Sequence, residues 1–265
     1  MKHHPHSFKL VGGSVSAAMA FAVALSWMPT AVAQTTSTGE GQSSQWGLGA
    51  GVAVVQKPYR DMDTDVLPLP LLSYENRWIS AAVPRLDLKL NSSEAFSLRL
   101  RAKYAGDGYD ADDSPYLSGM EDRKGGVWAG GAMIWKTGIV DLSAEVLGDV
   151  SGESKGTRAK LLAERRFASG AFGITPRMGV EWVDSKFVDY YYGVKTSEVR
   201  ADRAFYEGES TANVEVGVRM DYTLARRHTL FLDASATRFG SGIKDSPLVD
   251  SSSQTALSVG YIYRF

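Results

Sequence analysis

The sequence predicts an all-β fold, a transmembrane antiparallel up-and-down β-barrel of about twelve strands with short periplasmic turns and long extracellular loops. Three observations predict it. Apolar residues recur at every second position in segments of roughly ten residues, the length of a tilted strand that crosses a bilayer. Short and long connections alternate between these segments. The last segment ends on the aromatic residue Phe265, which suits a strand that faces lipid.

The N-terminus has the pattern of an export signal. Lys2 and Lys9 form a basic start, residues 10–27 are small, apolar and uncharged, and residues 31–33 make a small-x-small cleavage site. Glycines and serines interrupt the apolar part, which favours cleavage over a transmembrane anchor. We therefore expect a cleaved signal peptide at 1–33, a flexible polar tail at 34–44 and the barrel at 45–265.

The composition excludes several classes of protein. The chain has no cysteine, which excludes disulfide scaffolds and cysteine metal sites. Its net charge is −1 and it has no long basic block, which argues against a nucleic-acid partner. The acidic stretch 107–122 lacks the spacing of a calcium loop, so a solvated acidic loop is the better interpretation. We expect no cofactor and no bound metal.

Alternating polar and apolar residues mark each strand in turn. Residues two apart share one face of a strand, so one face of each segment is apolar and the other is polar. The clearest segment is 96–104, in which Arg99, Arg101 and Lys103 fall on the polar face. The predicted strands are 46–54, 66–74, 77–90, 96–104, 126–136, 140–149, 158–167, 172–182, 213–224, 228–239 and 253–265.

The connections give the strand number. A single-chain bacterial barrel needs an even number of strands, but the plain count is odd. Two short turns lie on either side of 77–90 with no long loop between them, so an outer turn must divide that segment, and 83–85 is its expected position. This gives twelve strands, with ten as the alternative if 77–90 does not cross. The short turns are 75–76, 91–93, 137–138, 168–170 and 225–227; 151–156 is intermediate; the long loops are 56–65, 105–125, 184–209 and 240–252.

The polar faces predict a lumen lined by charges of both signs. Opposite charges on neighbouring strands would pair where unpaired charge is costly, so we expect an interior largely closed by ion pairs. A narrow channel whose charges select solutes also needs polar inward faces and remains the alternative. The expected network consists of Arg99, Arg101, Lys103, Asp141, Glu145, Arg158, Lys160, Glu164, Arg177, Glu181, Glu215 and Arg219.

Several further residues have a candidate role. Tyr261, Tyr263 and Phe265 resemble the C-terminal signature that the bacterial barrel-assembly machinery reads. His228 is the one histidine outside the signal peptide, and a solvated turn histidine is a better interpretation than a hydrolase centre, which needs an adjacent nucleophile.

We expect lipid and lipopolysaccharide around the barrel. The residues expected in an aromatic girdle at the membrane interface are Trp46, Trp78, Trp128, Trp135, Trp182, Tyr222 and Tyr190–Tyr192.

Two long loops carry a similar turn-forming motif. One contains Asp112, Asp113, Ser114 and Pro115, and the other contains Asp245, Ser246 and Pro247. Both motifs favour turns, and the two loops are expected to pack over the barrel mouth as a lid.

Five segments resemble the MipA/OmpV family of outer-membrane barrels, the family of MltA-interacting proteins. They occur in family order and span nearly the whole predicted mature chain: 66–75 (VLPLPLLSYE), 106–123, 189–194 (DYYYGV), 245–249 (DSPLV) and 260–265 (GYIYRF). The resemblance implies a non-enzymatic outer-membrane protein with no catalytic residues. It also implies a scaffold that links a murein lytic transglycosylase to a penicillin-binding protein, with surface adhesion as a role of other members.

Overall fold

In the computed structural model, which describes residues 44–265, thirteen strand segments form one antiparallel sheet. The predicted signal peptide and all but the last residue of the predicted tail lie outside the described residues. The segments are β1 (Gln45–Gln56), β2 (Asp65–Glu75), β3 (Ile79–Ala82), β4 (Arg85–Ser92), β5 (Phe96–Ala105), β6 (Gly126–Lys136), β7 (Asp141–Asp149), β8 (Thr157–Glu164), β9 (Phe167–Ser169), β10 (Phe172–Val183), β11 (Thr211–Ala225), β12 (His228–Arg238) and β13 (Ser253–Arg264).

The sheet closes on itself as a barrel of twelve strands. Segments β8 and β9 pair one after the other with β10, so they are two parts of one barrel strand, interrupted at Arg165 and Arg166. The last strand, β13, pairs with β1 from Gly47↔Arg264 to Gln56↔Thr255 and closes the cylinder. The predicted barrel class and the strand number of twelve are confirmed.

The strand count depends on one short hairpin. The predicted segment 77–90 is divided into β3 and β4 by a turn at Val83 and Pro84, which makes the ten-strand alternative wrong. Strand β3 has only four residues and pairs with β2 from Ser73↔Ala82 to Glu75↔Ser80. The part of β2 above Ser73, residues 65–72, therefore extends past the end of its neighbour.

The two faces of the barrel differ as the alternation predicts. Along β5, Leu98 and Leu100 are exposed on the outside, whereas Ser97 and Arg101 are buried on the inside. This apolar exterior suits hydrocarbon, and except along the unpaired stretch of β2 the closed sheet satisfies its own backbone hydrogen bonds. Within residues 44–265, no helix is both long and apolar enough to cross a membrane.

The long loops fold into a compact cap at one end of the barrel. The cap contains two short helices, α1 (Ser185–Tyr192) and α2 (Ser241–Lys244), and a 3₁₀ turn at Thr196–Glu198. Asp184 caps α1 by accepting a hydrogen bond from the Phe187 backbone N–H. The buried cluster of the cap and barrel mouth consists of Tyr59, Ala105, Tyr109, Tyr116, Leu117, Met120, Trp128, Leu147, Val183, Phe187, Val188, Tyr191, Tyr192, Val194, Phe239, Ile243, Leu248 and Val249.

Candidate functional site

The middle of the lumen is organised around Glu145 on β7. Its carboxylate accepts hydrogen bonds from Arg101 Nη1 and from Lys103 Nζ, both at 2.6 Å. Strand β6 separates β7 from β5, so the three side chains meet over the inner face of β6 rather than along one ladder. All three are largely buried, and their opposite charges compensate each other where water is scarce.

A second carboxylate, Asp87 on β4, completes this cluster. Its side chain is fully buried and accepts from Arg101 Nε and Nη2 at 2.8 Å each and from Arg99 Nη1 at 3.2 Å. The paired contacts to Arg101 form a bidentate bond, the strongest geometry for an ion pair. Sequence reasoning missed Asp87, although it falls on the polar face of the alternating segment 85–89.

A further group of ion pairs spans β8, β10, β11 and β12. Arg158 contacts Glu181 at 2.8 Å and Asp107 at 2.9 Å. Glu215 joins Lys160 at 2.5 Å to Arg177 at 3.1 Å, and Arg177 also contacts Asp233 at 2.9 Å. These pairs join adjacent and next-but-one strands and cover this part of the inner wall with compensated charge.

Three residues of the expected network, Asp141, Glu164 and Arg219, form no ion pair with another described residue. In the described part of the chain, Asp141 and Glu164 lie opposite each other on β7 and β8, and Arg219 lies 4.1 Å from the Phe231 ring centre. The network also includes Arg166 and Asp221, which the alternation places on the polar inward faces, and three residues that were not expected in it: Asp87, Asp107 and Asp233. Arg166 pairs with Asp221 near the short-turn end, beside the interruption between β8 and β9.

The cap covers the end of the lumen from which the long loops emerge. Trp128 of β6 is fully buried there, 5.7 Å from the Phe187 ring, and Arg158 lies over both rings at 5.2 and 5.4 Å. Arg158 therefore connects the charged lumen to the aromatic cap. The girdle prediction is wrong for Trp128, because its position in β6 points it inward.

The girdle prediction is also wrong for the three consecutive tyrosines. They lie on α1, which folds back over the barrel mouth, with Tyr191 and Tyr192 buried in the cap. Desolvation raises the pKa of both phenols, which is expected for hydroxyl groups in an apolar core. The exposed residues Trp46, Trp78, Trp135, Trp182 and Tyr222 do lie on the lipid-facing surface near strand ends.

The two Asp-Ser-Pro motifs lie on either side of the loop 57–64. Ser114 Oγ donates to the Arg60 carbonyl at 2.9 Å, and the Arg60 backbone N–H donates to the Leu248 carbonyl at 2.8 Å. Ser246 Oγ donates to the Tyr192 carbonyl at 2.6 Å. The serines hold the cap together, whereas Asp112, Asp113 and Asp245 are exposed, and Pro115 is exposed and Pro247 half-buried.

One buried ion pair connects loop 106–125 to loop 184–210 within the cap. Arg123 Nη2 donates to both carboxylate oxygens of Glu198, at 2.8 and 2.9 Å. Burial on its own raises the pKa of Glu198, but hydrogen bonds from the Glu121 and Lys195 backbone N–H groups and from Arg123 outweigh it. The net effect is a lowered pKa, so Glu198 is ionised and its charge is compensated.

The opposite end of the barrel carries exposed cations. Arg77, Arg165, Arg226 and Arg227 are exposed at or next to the short turns, together with the exposed Glu94 and the half-buried Glu75 and Asp141. The guanidinium of Arg77 lies 4.9 Å from the Trp78 ring centre, and that of Arg165 lies 5.0 Å from the Phe167 ring centre. This rim, which we call the basic rim, is positive beside lipid-facing aromatic rings.

The terminal strand forms part of the same end. Tyr261 and Phe265 are exposed and Tyr263 is half-buried, and the Phe265 N–H donates to the Trp46 carbonyl at 2.9 Å. His228 is half-buried, with Nδ1 2.6 Å from the Tyr261 hydroxyl, so it is not a freely solvated turn residue. Its ring also packs edge-on against Tyr263. This arrangement gives His228 a place in the aromatic girdle beside the candidate assembly signal.

The described residues offer few ligands for a metal ion. Within 44–265, no three histidine, aspartate or glutamate side chains are grouped to hold a metal. The lumen carboxylates Asp87, Glu145, Glu181, Glu215 and Asp233 are instead paired with arginine or lysine.

Comparisons with known proteins give a family relationship. Residues 48–265 match the family described as MltA-interacting protein MipA. The MltA-interacting protein of Escherichia coli K12 is 29% identical over 231 residues, covering 83% of this chain and 90% of the relative. The putative outer membrane protein YiaT of Escherichia coli O157:H7 is 28% identical, covering 84% and 92%. Outer membrane protein OmpV of Vibrio cholerae is 26% identical, covering 83% and 87%.

Proposed function

This chain belongs to the MltA-interacting protein MipA family, and we propose from that membership that it is a non-catalytic scaffold for murein enzymes. It is an outer-membrane protein, and its short turns face the periplasm. The proposed partners are a lytic transglycosylase and a penicillin-binding protein. A barrel that holds both at one membrane face raises their local concentration, which is the physical effect of a tether.

The observation that carries the proposal is the basic rim. Arg77, Arg165, Arg226 and Arg227 project from a face whose turns are only a few residues long. So little surface cannot bury a large apolar interface, but clustered charge steers and orients a partner of opposite sign. The rim therefore suits an acidic patch on a periplasmic enzyme.

The occupied lumen supports a scaffold over a solute channel. Arg101, Glu145 and Arg158 are buried on the inner wall, and their ion pairs link β5 to β7 and β8 to β10. A conducting pore would need these pairs to open and the cap to move, which exposes the buried cluster of the cap and barrel mouth to water. The two ends of the barrel, the cap and the basic rim, are then the surfaces left for function.

In-cell crosslinking tests the proposal. The chain has no cysteine, so Ile139→Cys gives a single thiol on a periplasmic turn residue that is 71% exposed. A crosslinker at this site is expected to capture a lytic transglycosylase or a penicillin-binding protein, identified by mass spectrometry. Reversing the rim charge with Arg226→Glu and Arg227→Glu is expected to lower the yield by about tenfold.

The matched control reverses two exposed lysines of the cap, Lys186→Glu and Lys244→Glu, which changes the net charge equally on the other face. This control is expected to keep the wild-type yield. Capture that is unaffected by the rim reversal, or the absence of both enzyme classes from every sample, would contradict the scaffold.

A further inference from the structure

The outer wall of the barrel carries a shallow groove of about 620 Å³ where β11, β12, β13 and β1 lie side by side. Two rows of outward-facing side chains line it, and each row continues in register from strand to strand. The row nearer the long loops is Val216, Ala236, Thr255 and Gln56, the other row is Val218, Ala234, Leu257 and Val54, and Thr64 with Gly217, Ser235 and Ala256 completes the lining. The strands of the wall therefore form most of this groove.

Two alanines on β12 create the depression. The outward-facing positions of β12 hold Leu230 and Leu232 near the short-turn end, but Ala234 and Ala236 nearer the long loops. The valines of β11 and Leu257 of β13 project farther on either side, because their side chains are larger. A hollow in a lipid-facing wall loses van der Waals contacts unless a flexible chain fills it. The groove therefore suits a hydrocarbon chain that lies along the outside of β12.

The two ends of the groove differ in polarity. Gln56, Thr64 and Thr255 are exposed at the end near the long loops, whereas Val54 and Val218 lie toward the middle of the wall. The three polar side chains form no hydrogen bond with any other residue of 44–265. This gradient matches a lipid whose head lies on the extracellular side and whose chain extends into the membrane.

An arginine stands at the polar end of the groove. Arg238 occupies the next outward-facing position of β12 after Ala236, in register with Val214 and Ser253. Two residues along a strand cover about 6.6 Å, which is within the reach of an arginine side chain. Arg238 is exposed, and its side chain forms no ion pair or hydrogen bond with another described residue. Among the lysine, arginine, aspartate and glutamate residues of the described strands, it is the one in the outward-facing set.

The depth of Arg238 in the membrane indicates what it contacts. A charged side chain on the lipid face of a barrel is costly at the middle of the bilayer but costs little at the interface. Arg238 ends β12 on the side from which loop 239–252 emerges, so its guanidinium lies at the level of the extracellular headgroups. A guanidinium forms strong bidentate hydrogen bonds with phosphate. The position therefore suits a phosphate-bearing head.

The loops that leave these strands carry charges of both signs, and none of these charges lines the groove. The exposed acids are Asp61, Asp63, Glu207, Glu209, Asp245 and Asp250, and the cations are Lys57, Arg60 and Lys244. The loops are net negative, so long-range attraction does not draw an anion to this end of the barrel. The recognition is local, because Arg238 belongs to the lipid-facing wall and the acids belong to the loops.

We propose that the groove and Arg238 form a binding site for one molecule of lipopolysaccharide. A phosphate on its acylated glucosamine base accepts hydrogen bonds from the Arg238 guanidinium. Amide and hydroxyl groups of the same base meet Gln56, Thr64 and Thr255, and one acyl chain fills the hollow over Ala234 and Ala236. This site does not depend on the scaffold role, since it lies at the opposite end of the barrel from the basic rim.

Native mass spectrometry of the refolded barrel tests the site with three defined lipids supplied together. They are diphosphoryl lipid A, the same acylated disaccharide without phosphates, and phosphatidylglycerol. Retention of diphosphoryl lipid A is expected to exceed that of the phosphate-free disaccharide by about tenfold, the effect of a charge-assisted hydrogen bond. Equal retention of these two, or retention of phosphatidylglycerol that matches or exceeds that of diphosphoryl lipid A, would overturn the proposal.

A charge variant locates the phosphate. Arg238→Gln removes the cation and keeps a polar side chain, and it is expected to abolish the preference for the phosphorylated lipid. Lys186→Gln removes the same charge from an exposed position of the cap and is expected to keep the preference. An unchanged preference in Arg238→Gln would place the phosphate elsewhere and rule out the site.

A packing variant locates the acyl chain. Ala234→Leu with Ala236→Leu fills the hollow and leaves Arg238 in place, and it is expected to lower the retention of diphosphoryl lipid A about tenfold, the effect of roughly two buried methylenes. Ala144→Leu with Ala159→Leu makes the same change at outward-facing positions of β7 and β8 and is expected to keep the wild-type retention. Heat-modifiable migration on gels verifies that each variant is folded. A dimer of the barrel that only the β12 leucines abolish would assign the groove to a second copy of the chain and contradict the proposal.

Discussion

Removing the negative charge from the centre of the lumen is expected to destabilise the barrel strongly. In Glu145→Gln, Arg101 and Lys103 lose a carboxylate that each contacts at 2.6 Å, and both cations stay buried. Breaking a buried pair by removing one partner costs about 3–5 kcal/mol. The neutral amide keeps the shape of the side chain, so the effect reports charge rather than packing.

The loss is measured by urea unfolding of the refolded protein, followed by tryptophan fluorescence. With a slope of about 2 kcal/mol per M, the midpoint is expected to fall by about 1.5–2.5 M. Glu207→Gln, an exposed residue of the cap, is the control and is expected to stay within about 0.5 kcal/mol of wild type.

A double variant separates the loss of the Lys103–Glu145 ion pair from other effects of Glu145→Gln. In Lys103→Met with Glu145→Gln, one of the two buried cations that lost their carboxylate is removed. The free energy of unfolding of the double variant is therefore expected to be higher, by about 1 kcal/mol or more, than the sum of the two single effects predicts. A midpoint for Glu145→Gln equal to that of wild type would refute the reasoning, because the ion pairs would then contribute nothing to holding the lumen together.

The remaining predictions concern the cap and the closing seam. The pKa of Glu198 lies below its ordinary value of 4.5 in the folded cap, so its stabilising effect is complete above pH 4.5 and is lost as the pH falls through the lower folded pKa. Hydrogen exchange of the cap amides is expected to accelerate in acid, and Glu198→Gln is expected to remove that pH dependence; an unchanged profile would contradict the assignment. Trp128→Ala empties the junction of cap and barrel and is expected to cost about 3–5 kcal/mol in urea unfolding, whereas no loss would mean that the cap is not packed on the lumen. Gly49→Val is expected to slow barrel closure, since a Cβ there would lie 1.9 Å from the Tyr261 carbonyl oxygen, and refolding at the wild-type rate would argue against this seam.

The sequence predicts the barrel well because lipid imposes a simple rule on it. Every strand must alternate polar and apolar faces, so segments such as 96–104 are recognisable one by one. Parity then requires a turn inside 77–90, and the structure places it at Val83 and Pro84. The unpaired stretch of β2 above this turn was not predictable, because it depends on the register between β2 and β3.

The cap was harder to predict because loops follow no fixed period. Tyr191 and Tyr192 are of a residue type that is common at membrane interfaces, and they are buried only because α1 folds over the mouth of the barrel. Trp128 was misassigned because its strand is rich in glycine and alanine, so its two faces look alike in the sequence. Asp107 lies two residues beyond the end of β5, and its pairing with Arg158 depends on the path of the loop.

Electrical recording across a planar bilayer tests most directly whether this protein acts through the surfaces at the two ends of the barrel or conducts solutes through its lumen. The ion pairs of Arg101, Glu145 and Arg158 and the cap above them predict a silent barrel, with no steady conductance steps from the reconstituted wild type. Reproducible, ion-selective steps would contradict the account and assign the charged interior to solute passage.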